Sequence, residues 1–127
     1  MKKIFNPKSA VTPVGPYNIT TIHNGVMYVS GQIAIDPATG NLVTENIEAE
    51  THQVLKNIGA ILEEAGVGFK DVLKASVFVS DMNMYGRINA IYAEYFDEDT
   101  APARELVEVA NLPKFVNIEI SVIVAVE

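Results

Sequence analysis

The sequence predicts a single α+β domain spanning residues 1–127, with a mixed sheet carrying two helices on one face. Three observations carry that prediction. An Asn24-Gly25 pair separates two β-type runs, two longer segments repeat their apolar residues at helical spacing, and each of those segments leads into a run rich in β-branched residues.

The runs at 19–23 and 26–29 flank Asn24-Gly25, which supplies the two positive-φ positions of a two-residue type I′ turn. They form a hairpin. A second turn falls at Asp36-Pro37-Ala38-Thr39-Gly40, where proline presets one dihedral and glycine accepts an unusual one. A short third strand before the first helix brings the strand number to six. That helix is predicted over 46–65, with Asn46 as N-cap and Gly66 as stop. Ile47, Val54, Leu55, Ile58, Ile61 and Leu62 form its apolar stripe. Residues 71–80 read as a buried strand, since Val72, Leu73, Val77, Phe78 and Val79 are too dense for a half-exposed one. Asp81 or Asn83 caps a second helix whose stripe runs from Met84 through Ile88, Ile91, Tyr92 and Tyr95 to Phe96. Pro102 closes that segment, and strands at 105–110 and 116–126 follow, separated by Leu112-Pro113-Lys114.

In the last strand Ile118, Ile120, Val122, Val124 and Val126 alternate with Glu119, Ser121, Ile123 and Ala125. The second set is more apolar than a water-facing surface. Two helices are few for covering two faces, so a closed homo-oligomer that buries the second face is the simplest remedy. Coverage of both faces within one chain is the alternative.

The composition excludes several function classes. Without cysteine there is no disulfide framework, thiolate metal site or cysteine nucleophile. No apolar run is long enough to span a bilayer. The basic N-terminus lacks the apolar stretch of a secretory signal, so the expected compartment is the cytosol. A net charge of −7, from 9 basic and 16 acidic residues, argues against nucleic acid as a partner. His23 and His52 lie on separate elements and offer neither a metal site nor a catalytic pair.

Among residues able to carry chemistry, Arg104 follows Pro102-Ala103 at the mouth of a strand. There its planar fork suits bidentate capture of a carboxylate, or an ordinary surface ion pair. Arg87 lies off the second helix's stripe and reads as a solvated charge. Glu119, between Ile118 and Ile120, either faces solvent or lines a cavity. Tyr17 is a packing aromatic or an acid, Ser30-Gly31-Gln32 ends a strand where a ligand can come close, and Asn89 interrupts the second helix with an amide.

Taken in order, several motifs resemble the Rid family of reactive imine deaminases, also described as L-PSP endoribonuclease-like. They are Gly15-Pro16-Tyr17, Ser30-Gly31-Gln32, Asn89 with Ile91-Tyr92 and Tyr95-Phe96, Pro102-Ala103-Arg104, Val107-Glu108-Val109-Ala110, Leu112-Pro113 and Ile118-Glu119-Ile120. The resemblance runs from about Pro13 to Val126. It implies a chorismate-mutase-like fold, a homotrimer with sites in the clefts between subunits, and no metal or cofactor. It also implies that Arg104 grips the carboxylate of a 2-imino acid, that Glu119 positions or activates water, and that Tyr17 joins them. Ser30, Gly31, Asn89 and Leu106 then line the substrate cleft. The implied reaction converts 2-iminopropanoate or 2-iminobutanoate to the 2-keto acid and ammonia. Leu106 stands where many members have cysteine, which keeps a backbone contact but loses any thiol role. Ala101 stands where many have an aromatic, which widens the cleft or alters substrate preference. The rival readings are a translation-inhibiting endoribonuclease and a non-catalytic sensor of small carboxylates.

Overall fold

The computed structural model describes residues 1–126 and holds eight main elements. In chain order they are β1 (Lys3–Phe5), β2 (Thr20–His23), β3 (Val26–Gln32), α1 (Ile47–Glu64), β4 (Val72–Val79), α2 (Tyr85–Tyr92), β5 (Ala103–Glu108) and β6 (Ile118–Ala125). The six strands form one sheet in the order β1-β2-β3-β6-β4-β5. Only β4 and β5, joined through α2, run parallel; every other pairing is antiparallel. This is the predicted mixed α+β sheet.

Local chemistry sets the elements. Asn24 and Gly25 both adopt positive φ, 51° and 74°, as the type I′ hairpin requires. The Asn46 side chain accepts the Ala49 N–H at 2.8 Å and opens α1, and Gly66 at φ 78° follows its end. Three expectations change. The sixth strand is not the one placed between hairpin and first helix, where only an Ile35–Leu42 bridge forms, but Lys3–Phe5 at the N-terminus. The second helix stops at Tyr92, although its apolar spacing continues to Phe96. Tyr95 and Phe96 instead leave the helix to meet Phe69 edge-on, at ring separations of 5.5 and 5.1 Å. The strand placed at 105–110 begins two residues earlier, which puts Arg104 inside the ladder opposite Ala75.

One face of the sheet is buried. Val29, Ala75, Val77, Val79, Ile118, Ile120, Val122 and Val124 pack there with the α1 residues Val54, Leu55, Ile58, Ile61 and Leu62 and with Ile88 and Ile91 of α2. The other face carries Tyr28, half exposed at 49 %, with Ile123, Phe78 and Val107. It also holds an ion pair of Lys74 with Glu105 at 3.2 Å. Among the described residues no helix covers this second face.

Candidate active site

The site residues fall into two groups on opposite faces of the sheet. The first forms around an irregularity in β3. Between Val29 and Gln32 the pairing with β6 gains one extra residue, and this bulge lifts Ser30 and Gly31 out of register. Glu119 lies over the gap so closely that a Cβ at position 31 would sit 2.8 Å from the Glu119 carboxyl carbon. Glycine is needed here for space. Ser30 does not point its hydroxyl proton at the cleft; it donates to the Asn18 carbonyl at 2.7 Å and ties down the loop that ends in Tyr17. Asn6 tightens the same loop, its side-chain oxygen accepting the Ile19 N–H at 2.7 Å.

Tyr17, Gly31 and Glu119 share the wall of a cleft of about 580 Å³, together with Ile35, Asn57 and Lys114. The Glu119 carboxyl makes no hydrogen bond to any described residue, and burial pushes its pKa above the ordinary glutamate range. Lys114, at φ 57°, brings a cation to the rim. Nothing in Leu112-Pro113-Lys114 marks a left-handed lysine, so the sequence alone does not single out Lys114.

The second group lies between α2 and the edge strand β5. Arg104 Nη1 donates to Asn89 Oδ1 at 2.9 Å and Nη2 donates to the Tyr85 hydroxyl at 3.1 Å. The guanidinium carbon sits 4.7 Å from the Tyr92 ring centre. The Tyr92 hydroxyl is buried beside it without a hydrogen-bond partner, and burial raises its pKa while the Arg104 charge opposes the rise. Arg104 is therefore oriented by neutral groups alone. Among the described residues no carboxylate approaches it, whereas Arg87 is clamped by both oxygens of Glu48 at 2.7 and 2.8 Å. Tyr85 was missed in the sequence, although Tyr85, Asn89 and Tyr92 stand at the i, i+4, i+7 spacing of one helix face.

The two groups do not meet within one chain. Arg104 pairs across the sheet with Ala75 and then Val122, on the helix-covered face. Glu119 pairs with Phe78 and Val107, on the open face. Leu106 lies on the Arg104 side next to Val77 and is half-buried against the core. Among the described residues no three His, Asp or Glu side chains gather as a metal would require, and no helix is long and apolar enough to cross a membrane.

Comparison with known proteins identifies the class. The family described as Endoribonuclease L-PSP matches residues 7–126. A RutC family protein of Synechocystis is 52 % identical over 119 residues, covering 93 % of this chain and 92 % of that one. The mouse 2-iminobutanoate/2-iminopropanoate deaminase is 38 % identical over 123 residues, covering 97 % and 90 %. Among solved structures, YyfA of the conserved Rid protein family from Yersinia pestis superposes with a TM-score of 0.94 at 44 % identity, covering 99 % of this chain and all of that one. TdcF of E. coli, solved with bound serine, gives 0.89 at 35 % identity, covering 97 % and 98 %. The chain belongs to the Rid/L-PSP family.

Proposed function

We propose that the protein is a cofactor-independent hydrolase that deaminates 2-imino acids of the 2-iminobutanoate and 2-iminopropanoate type to 2-keto acids and ammonia. One observation carries this reading: a guanidinium oriented by neutral partners and left without a counter-charge, on an edge strand. Three of its five N–H groups remain for an incoming carboxylate, the anion its fork fits best. The name of the mouse relative and the amino acid bound to TdcF support the same substrate class.

The chemistry needs little more. Water adds to C2 of the imine, the resulting carbinolamine loses ammonia, and the carbonyl of the keto acid forms. Arg104 holds the carboxylate, and Glu119 takes a proton from the attacking water and returns it to the leaving nitrogen. A carboxyl whose pKa burial has raised suits both transfers. Because Arg104 and Glu119 lie on opposite faces, a complete site joins Arg104 of one subunit to Glu119 of the next. A homotrimer closed over the uncovered face provides three such clefts, and Tyr17, Gly31, Asn89 and Leu106 line them.

The test is steady-state ammonia release from freshly generated 2-iminobutanoate, with RNA cleavage assayed alongside. Arg104→Lys is expected to lose most turnover, since truncating a charge-assisted contact costs about 1.5–3 kcal/mol. Glu119→Gln is expected to lose turnover as well. Mixing the two inactive variants after unfolding and refolding should restore roughly one site in four by random assembly. Full activity in Arg104→Lys, or RNA cleavage without ammonia release, overturns the reading. Inactivity of the mixed protein would put the complete site back inside one chain.

A further inference from the structure

We infer that Tyr85 is a second ligand for the substrate carboxylate, a hydroxyl donor set beside the Arg104 guanidinium. The inference rests on the reading of Arg104 as the carboxylate grip and adds to it a residue that selects for an acceptor-only anion. Three side chains of α2 touch Arg104, and they differ in what they can still offer. Asn89 contributes its carbonyl oxygen and is half-buried. Tyr92 contributes the face of its ring, and its hydroxyl is enclosed. Tyr85 is 42 % exposed and accepts from Nη2 through its oxygen. Acceptance through the oxygen leaves its own O–H proton unassigned, and no described residue takes it.

A carboxylate docking on the remaining guanidinium N–H groups comes to rest beside that proton. The phenol then bridges, accepting from the arginine and donating to the anion, and each bond polarises the other. This arrangement favours a group that only accepts. A carboxylate gains from both donors, whereas the –NH₂ of a carboxamide meets two donors with a third. Exposure argues against a purely structural role, because a solvent-facing Arg–Tyr hydrogen bond contributes little to folding.

The experiment is calorimetric titration of 2-oxobutanoate and of its neutral amide into the wild type, Tyr85→Phe and Arg104→Lys, with imine turnover measured in parallel. Tyr85→Phe keeps the ring, so its Tm should match the wild type. Its Kd for 2-oxobutanoate should rise about tenfold, the loss of one hydrogen bond to a charged group. KM should rise in step while kcat stays within about twofold, since the contact is made equally before and during reaction. The amide should bind weakly to both proteins with no difference between them. Unchanged 2-oxobutanoate affinity in Tyr85→Phe, alongside lost affinity in Arg104→Lys, overturns the role of Tyr85 and leaves the carboxylate grip standing. A wild type that binds no 2-oxobutanoate overturns both.

Discussion

Two carboxylates flank the start of β6, and the protein treats them in opposite ways. Glu50, on α1, is fully buried, and its two oxygens accept from the Asn117 N–H at 2.7 Å, the Asn117 side-chain amide at 2.8 Å and the Ile118 N–H at 3.2 Å. Glu119 is the next residue along the strand, half-buried and without any such donor. The difference separates structure from chemistry. The carboxylate that holds the chain is saturated with hydrogen bonds; the one to which the proposed mechanism gives the proton transfer is fixed by its backbone and left bare. The Glu50 network anchors the strand from which Glu119 projects, so the saturated carboxylate sets the position of the free one. The arginines repeat the contrast, with Arg87 clamped by Glu48 and Arg104 held by neutral groups.

The largest expected effect comes from breaking the saturated member. Glu50→Ala strands two backbone N–H groups and an amide in the interior, at roughly 1–3 kcal/mol for each unsatisfied group. A loss of at least about 3 kcal/mol in urea unfolding is expected, with Glu50→Gln recovering part of it through its one remaining acceptor oxygen. A stability near the wild type in Glu50→Ala would mean that β6 is anchored by its sheet pairing alone.

Replacing the bare member should reverse the pattern. Glu119→Gln is expected to leave stability unchanged or slightly raised, because it removes a desolvated charge, while kcat falls and product affinity persists. The pH dependence follows from the raised pKa. A buried acid whose folded pKa exceeds its unfolded value favours folding most at low pH, and that contribution is lost as pH rises through the folded pKa. In the proposed mechanism activity runs the other way, since it is the deprotonated carboxylate that takes the proton from water. The wild-type kcat profile should therefore rise along a limb centred above the ordinary glutamate value, and Glu119→Gln should lack that limb. A limb that survives the substitution would assign the proton transfer to another group.

The contrast was partly legible in the sequence. Alternation of Ile118, Ile120, Val122 and Val124 marked Glu119 as belonging to the opposite face, and the apolar Ile123 on that face pointed to a partner. Asn24-Gly25 and Asn46 specify their hairpin and cap through short-range sterics, which is why those elements could be read directly. The strand at Lys3–Phe5 could not. Three residues carry no periodicity, and the strand exists through its pairing with β2 and a Thr20 hydroxyl bond to the Phe5 carbonyl. The candidate residues could be picked from the sequence one by one, but their division into two groups could not. The face on which Arg104 falls depends on the parallel register of β4 and β5, a long-range pairing that no local spacing encodes.

The smallest expected effect tests whether pairing alone marks a charge as structural. Arg87 is solvent-exposed and Glu48 partly so; the side-chain hydrogen bond to Arg87 holds the Glu48 carboxyl down at about 2. A depressed carboxylate pKa gives stability that is present above the unfolded value and lost as pH falls through the folded one. The pair's contribution should thus be complete at neutral pH and fade as pH falls from the ordinary glutamate range to about 2. Water and salt screen it throughout, so its share is far below that of the enclosed Glu50. Arg87→Ala is expected to lower Tm slightly in dilute buffer, to match the wild type in about 1 M salt, and to leave imine turnover untouched. Differential scanning calorimetry at two ionic strengths reads the first two outcomes, and ammonia release reads the third. A drop in Tm that persists at high salt would place Arg87 with Glu50 as a structural anchor. A drop in turnover would mean that the neutral setting of Arg104 is not what distinguishes the arginine proposed to grip the substrate.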